Sequence, residues 1–363
     1  MVPSYDKIHD RFKINNSSYL FEELKEVAYS HVKEGLAFEK VIGNFLIDWL
    51  DDKNYIIVNT SGSTGLPNAI KLQKQAMVNS AIATGVFFNL KPGEKALHCL
   101  STEYIAGKMM LVRAMILGLE LDLTEPTSQP IFDYEKAYHF CAMVPLQLQK
   151  TKSYCNNIKT IIVGGASVSR SLIEAIQNIN PNIYESYGMT ETITHIALKK
   201  LNNFENKALD SLLLFKTLPN VIISQDSRNC LTIDAPNLSD KNIVTNDLVK
   251  IHSDTEFEWL GRFDHIINTG GVKVLPEQIE AKLLGLISNR FFISKEVDDE
   301  LGERVILVLE SGSNVLKKSV FAELSKFEIP KKIYKVENFI EAPNGKILRQ
   351  ETLKIIERAQ KAR

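Results

Sequence analysis

Tyr55-Ile56-Ile57-Val58-Asn59-Thr60-Ser61-Gly62-Ser63-Thr64-Gly65-Leu66-Pro67 sets a short apolar run against a loop of hydroxyls and glycines. Residues 55–58 have the length and β-branched content of a buried strand. Thr60, Ser61, Gly62, Ser63, Thr64 and Gly65 make a poor core and a good phosphate cradle. Glycine lets the backbone curl so that N–H groups converge, and hydroxyls add donors without bulk. The loop is expected to lead into a helix, whose N-terminus favours anions. No Gly-Lys-Ser/Thr follows at Walker spacing and the chain has no G-x-G-x-x-G, so neither of those fingerprints applies. A plain surface turn is the other reading of such a run.

Outward from this stretch, residues 55–194 alternate short apolar runs with longer amphipathic ones. Residues 55–58, 96–100, 119–123, 141–144 and 160–163 read as buried strands, and 73–88 and 169–179 as helices. That alternation predicts layered α/β structure on a largely parallel sheet. From 196 to 260 the texture changes to short strands (221–224, 231–233, 257–260) between polar turns, the pattern of a small β subdomain. Gly261-Arg262-Phe263-Asp264 reads as a linker. Beyond it, strands at 304–310 and 331–336 and helices at 276–284 and 350–359 predict a small α+β C-terminal domain. The division is therefore 1–263 and 264–363, with the hinge near Asp264.

Composition excludes several classes. The 363 residues are 44% hydrophobic and 24% charged, ordinary for a globular protein, and support more than one domain. A formal net charge of -1 offers no global field for nucleic acid or an acidic membrane, so any anionic ligand must be held locally. Cys99, Cys141, Cys155 and Cys230 fit no metal-site spacing and read as reduced core thiols, as in a cytoplasmic protein. No run approaches the roughly 18 apolar residues of a membrane span, and residues 1–16 lack the apolar segment of a signal peptide.

Further motifs follow in order. Val163-Gly164-Gly165-Ala166-Ser167 ends a strand in two glycines, which suits backbone lying against a flat ligand, with Ser167 or Ser169 available as a helix N-cap. Next come Tyr184-Glu185-Ser186-Tyr187-Gly188-Met189-Thr190-Glu191-Thr192, then Asn246-Asp247, then Trp259-Leu260-Gly261-Arg262-Phe263-Asp264. Thr269-Gly270-Gly271-Val272-Lys273-Val274-Leu275-Pro276-Glu277 and Ala342-Pro343-Asn344-Gly345-Lys346-Ile347 complete the series. Taken singly, Glu191 reads as a solvated carboxylate and Lys346 as a turn residue.

Together, over residues 59–347, these segments resemble the adenylate-forming superfamily of acyl-CoA synthetases, luciferases and peptide-synthetase adenylation domains. The resemblance implies that the 60–65 loop wraps the ATP phosphates and that Gly164, Gly165 and Ala166 flank adenine. It implies that Tyr187 and Gly188 meet the base, Thr190 the α-phosphate, and Glu191 a Mg²⁺ ion, which prefers carboxylate oxygen. Asp247 and Arg262 are then nucleotide ligands, Gly270 and Gly271 line the path of the coenzyme A arm, and Lys346 is the catalytic lysine of adenylation. Two positions depart from the family: Asn68 stands where many members have lysine, with Lys71 three residues on, and His265 where many have aspartate. With some 58 residues before the loop, the usual N-terminal subdomain is expected to be shortened.

The implied activity is that of an ATP-dependent acyl-CoA ligase using ATP, Mg²⁺ and coenzyme A on a small carboxylic acid. Tyr104-Ile105-Ala106-Gly107-Lys108-Met109-Met110-Leu111-Val112-Arg113 stands where the family has its acyl-pocket motif. This version is similar to the o-succinylbenzoate–CoA ligases of menaquinone biosynthesis, and Tyr104, Gly107 and Lys108 become candidate acyl-pocket residues. Lys108 and Arg113 are each open to two readings, partner of a dicarboxylate or surface charge. Another aryl or acyl carboxylate, a carrier-protein thiol as acceptor, and a non-catalytic nucleotide-binding relative stay open as alternatives.

Overall fold

The computed structural model describes residues 3–60, 68–204, 214–310, 316–341 and 347–361. Ser61, Gly62, Ser63, Thr64, Gly65 and Lys346 lie outside the described residues. The chain opens with a short hairpin, β1 (Lys13–Ile14) and β2 (Ser17–Ser18), and a packed helix pair, α1 (Phe21–Glu34) and α2 (Ala37–Leu50). An antiparallel hairpin follows, β3 (Tyr55–Thr60) and β4 (Asn68–Gln73), and then α3 (Lys74–Phe88).

The glycine-rich loop does not lead into the expected helix. It runs into a strand, β4, not a helix. Residues 55–58 belong to a two-stranded sheet of their own rather than to the parallel sheet. The local reason is a period of two on both sides. Ile56 and Val58 are buried while Ile57 is exposed, and Leu72 is buried between exposed Lys71 and Gln73. One face suffices to anchor such a ribbon on the core.

The layered α/β part is β5 (Lys95–His98), α4 (Ile105–Leu117), β6 (Glu120–Leu123), β7 (Tyr138–Met143), α5 (Pro145–Thr151), β8 (Ile158–Val163), α6 (Arg170–Ala175) and β9 (Asn182–Gly188). Strands β6, β5, β7, β8 and β9 lie side by side and parallel, as the alternation predicted. Ile161, Ile162 and Val163 are buried in succession, the continuous apolar reading of a strand covered on both faces. Helix α4 is buried from Met109 to Ile116 and stops at Gly118 in the left-handed region.

Six antiparallel strands extend this sheet: β10 (His195–Lys200), β11 (Phe215–Thr217), β12 (Ile222–Gln225), β13 (Cys230–Asp234), β14 (Ile243–Ser253) and β15 (Glu256–Arg262). The order among the described residues is β12-β13-β14-β15-β11-β10-β9-β8-β7-β5-β6-β1-β2. The β-rich stretch therefore continues the main sheet and does not form a separate one. β10 pairs directly on the open edge of β9, and one apolar cluster runs from Trp49 and Met77 through Ile196 to Phe257.

The last part holds β16 (Ile267–Thr269), β17 (Val272–Val274), α7 (Pro276–Leu283), β18 (Phe291–Asp298), β19 (Gly302–Glu310), β20 (Lys332–Val336) and α8 (Arg349–Lys361). Its five-stranded sheet is distinct, and its apolar clusters, around Ile279 and Leu307 and around Phe292 and Ile356, share no residue with the large core. The four cysteines are free and buried, and no described helix is long and apolar enough to cross a membrane.

Candidate adenylation site

The ends of β3, β8, β9 and β15 and the middle of β14 carry the predicted motifs. Thr60 closes β3 opposite Asn68, and β4 packs against the turn Thr190–Thr192. The arms that flank the glycine-rich segment thus abut the turn carrying Thr190 and Glu191. Lys71 is committed elsewhere, its Nζ 3.6 Å from the centre of the Tyr55 ring.

Val163 ends β8, and Gly164 packs so tightly on the Ser186 hydroxyl that any side chain there would overlap it. Ser186 Oγ donates to the Val163 carbonyl at 3.1 Å, which ties this loop to the next motif. Gly165 and Ala166 are exposed beyond it. Ser169 caps α6, accepting from Leu172 N at 3.2 Å, a contact worth about 1 kcal/mol at helix N-caps.

β9 delivers Tyr187. Its hydroxyl donates to Asp247 Oδ2 at 2.6 Å, and its ring packs on Phe257 (5.2 Å) and Phe215 (5.6 Å). Burial, then the carboxylate of Asp247, push its pKa up. Asp247 is 7% exposed, accepts from Trp259 Nε1 at 3.2 Å, and lies 3.9 Å from Arg262. Arg262 in turn grips Asp264 through two hydrogen bonds of 3.0 and 3.1 Å. The structure so gathers Tyr187, Asp247, Arg262 and Asp264 into one network.

After Gly188 the backbone does something that sequence reasoning missed. Ile193 has φ +66° and ψ -57°, and Thr194 N donates to the Thr192 carbonyl at 2.7 Å. This is a γ-turn with a β-branched residue in its strained centre, a conformation that costs on the order of 1–3 kcal/mol and persists only where surroundings impose it. Burial of Ile193 and the Thr192 hydroxyl, beside the Met189 and Thr194 carbonyls, impose it here. Gly188 admits no side chain because the Thr194 carbonyl and His195 backbone fill that space. Glu191 points to solvent from this turn. Among the described residues no group of three or more His, Cys, Asp or Glu gathers, so a Mg²⁺ ion fits as a one-carboxylate site completed by phosphate and water oxygens.

The acyl-motif residues divide. Tyr104 precedes the first turn of α4, and Gly107 packs on the Ser101 carbonyl. Neither basic residue is a surface charge. Lys108 donates to the Thr102 carbonyl at 2.6 Å and lies over Phe45, and burial lowers its pKa. Arg113 is 1% exposed and faces the other way, towards α3 and β10. Five residues apart on a helix, they stand on different faces and do not converge on one acid. Thr84, Thr194 and His195, which surround Arg113, carried no motif and were invisible to sequence reasoning.

Gly270 and Gly271, both at positive φ, form the β16–β17 turn, where only glycine is unstrained. His265 pairs with Glu277 at 2.5 Å, and Gly261 lies against the same carboxylate. Glu341 and Ile347, on either side of Lys346, form a β-bridge.

With these positions fixed, comparison with known proteins is informative. The model of the family described as AMP-binding enzyme matches residues 23–212, more than half of the chain. The chain belongs to the AMP-binding enzyme family. It is an adenylate-forming, AMP-forming acid–thiol ligase, as the ordered motifs implied. A solved acyl-CoA synthetase (AMP-forming)/AMP-acid ligase II-like protein from Dyadobacter fermentans is 35% identical, with 91% of this chain and 97% of that one covered and a TM-score of 0.59. The 2-succinylbenzoate–CoA ligase of Bacillus cytotoxicus is 23% identical over 339 residues, 83% of this chain and 70% of the relative. The o-succinylbenzoate CoA synthetase of Bacillus subtilis, solved with its acyl-adenylate, shares the fold at a TM-score of 0.70 and 21% identity, over 81% of this chain and 68% of that one.

Proposed function

We propose that this ligase activates o-succinylbenzoate, an aromatic acid with a second carboxylate, and passes it to coenzyme A in menaquinone biosynthesis. The observation that carries this reading is Arg113. It is a fully buried guanidinium beside the Thr190–Thr194 turn with no ion pair to any described carboxylate. A buried unpaired cation is costly, and a ligand that brings the missing carboxylate recovers that cost. The ring carboxylate of such an acid, left free when the succinyl end is activated, is a fitting partner. The relatives named as 2-succinylbenzoate–CoA ligases agree with the choice.

In the first step a carboxylate oxygen of the acid attacks the α-phosphorus of ATP, and the bond to pyrophosphate breaks. Charge at phosphorus must be neutralised while the reactants are held in line. In this scheme the 60–65 loop holds the phosphates, Thr190 the α-phosphate and Asp247 the ribose hydroxyls. Tyr187 braces Asp247 while flanking the base with Gly164, Gly165 and Ala166. Mg²⁺, when bound at Glu191, screens phosphate charge. Lys346 reaches the α-phosphate from the C-terminal part. In the second step the thiol sulfur attacks the acyl carbon, the bond to AMP breaks, and the thiol proton leaves. The C-terminal part, from about Asp264, turns between the steps to bring Gly270 and Gly271 to the thiol path.

A panel of carboxylic acids with ATP and free coenzyme A, read by AMP release, tests this. A kcat/KM for o-succinylbenzoate far above that for benzoate, acetate and long fatty acids is expected. Preference for another acid would remove the substrate and keep the ligase. AMP release only with a carrier protein would remove coenzyme A as acceptor.

A further inference from the structure

The surroundings of Arg113 carry more than its burial. Its four contacts among the described residues are all neutral: Nε to Thr84 Oγ1 at 3.3 Å, NH2 to Thr194 Oγ1 at 3.3 Å and His195 Nδ1 at 3.5 Å, and NH1 to the Met110 sulfur at 3.8 Å. The proton assignment follows from Thr84. Its hydroxyl donates to the Ser80 carbonyl at 3.0 Å, so its oxygen is left to accept. Two N–H groups point at it, Arg113 Nε and His195 Nε2, the latter at 3.4 Å. His195 therefore carries its proton on Nε2 and presents a bare Nδ1 to the guanidinium. A second proton on the ring would turn Nδ1 into a donor facing a cation. Burial, and next the charge of Arg113, accordingly drive the His195 pKa far down. Burial brings Arg113 to about 9, so the guanidinium keeps its charge at neutral pH.

The γ-turn at Ile193 is what brings the two acceptors together. It sets the Thr194 hydroxyl and the first residue of β10 at the same guanidinium nitrogen. The result is a cation fixed along its Nε–NH2 side without being neutralised. Among the described residues only the soft sulfur of Met110 meets NH1.

We propose that His195, neutral and protonated on Nε2, is the positioning and specificity residue of the acyl pocket: it holds Arg113 in place, leaves its charge uncompensated, and so makes the enzyme demand an acid with a second carboxylate. The inference rests on Arg113 as the substrate anchor. An acid lacking that group leaves the cation unpaired, and discrimination follows from the difference.

The test compares o-succinylbenzoate with 3-benzoylpropionate, which keeps the succinyl carboxylate that is activated and lacks the ring carboxylate. His195→Asp supplies Arg113 with an internal anion. The ratio of kcat/KM for the two acids is expected to fall on the order of 10², the scale of losing a buried charge pair. KM for o-succinylbenzoate rises, and KM for ATP stays put. His195→Gln, which keeps an acceptor oxygen, holds the ratio within about tenfold of wild type, and His195→Leu does not. The second pair serves if the aspartate variant fails to melt cooperatively. Nitrogen-15 NMR of the imidazole should show Nδ1 unprotonated. A protonated Nδ1, or a ratio unchanged in both His195→Asp and His195→Leu while Arg113→Met abolishes it, overturns the role of His195 and leaves Arg113 as anchor. A ratio unchanged in Arg113→Met as well overturns the anchor itself.

Discussion

Two arginines of this protein sit in opposite electrostatic settings. Arg262 lies between Asp264 and Asp247, and Asp247 is also held by Tyr187 and Trp259. Every strong charge there has a partner before any ligand arrives. Arg113, the proposed acid anchor, has among the described residues only hydroxyls, an imidazole and a thioether. On the proposed function, the Asp247 network accepts the neutral ribose diol by exchanging hydrogen bonds. On the proposed reading, Arg113 is short of one negative charge and so selects for a ligand that carries it. The first arrangement contributes to stability; the second costs stability and yields discrimination.

Arg113→Met breaks this contrast most sharply. Catalytic efficiency with the dicarboxylate should fall on the order of 10² or more, because the substrate's carboxylate is then buried without a partner. The melting temperature should stay level or rise, since a buried unpaired charge is replaced by an apolar side chain of similar length. A fall in both, measured by coupled assay and calorimetry, would mean that Arg113 is structural.

Asp247→Ala should do the reverse. It orphans the Tyr187 hydroxyl and Trp259 Nε1, so stability falls by roughly 1–3 kcal/mol. KM for ATP should rise about tenfold, the scale of one lost charged hydrogen bond, with no change in preference among acids. Altered acid preference in this variant would show that the two sides are coupled.

Acid should act through His98 and His195, the histidines buried among the described residues. Burial brings His98 to about 4, against the 6.5 of an exposed imidazole, and His195 is driven down as well. The unfolded chain takes up these protons first. Stability should therefore be flat above pH 6.5 and decline as pH falls towards 4. For His98 alone the loss is roughly 1 kcal/mol at pH 5.5, and His98→Gln should flatten part of the slope in thermal melts. The smallest expected effect is Trp259→Phe, about 0.5–1 kcal/mol for one hydrogen bond to Asp247, read by denaturant titration with activity nearly intact.

Much of this molecule was legible in the linear chain, for reasons of range. Phosphate loops, capped turns and strand ends are local, and their residues stand in order from Asn59 to Lys346. The parallel strands could be read because burial on both faces imposes continuous apolar runs such as 160–163. The capping role of Ser169 was readable for the same local reason.

Other features depend on which segments meet, and no short window contains that. Whether the loop enters a strand or a helix was decided by the pairing of residues 68–73 with 55–60. Lys108 and Arg113 look alike in sequence. The fold sends one to a backbone carbonyl beside α2 and the other into a cage built by α3 and β10. Sequence by itself determined the class of chemistry, since that rests on motifs within single loops. Tertiary structure alone decided where an unpaired charge is buried, because desolvation and partnership are properties of residues brought together from positions 84, 113 and 195.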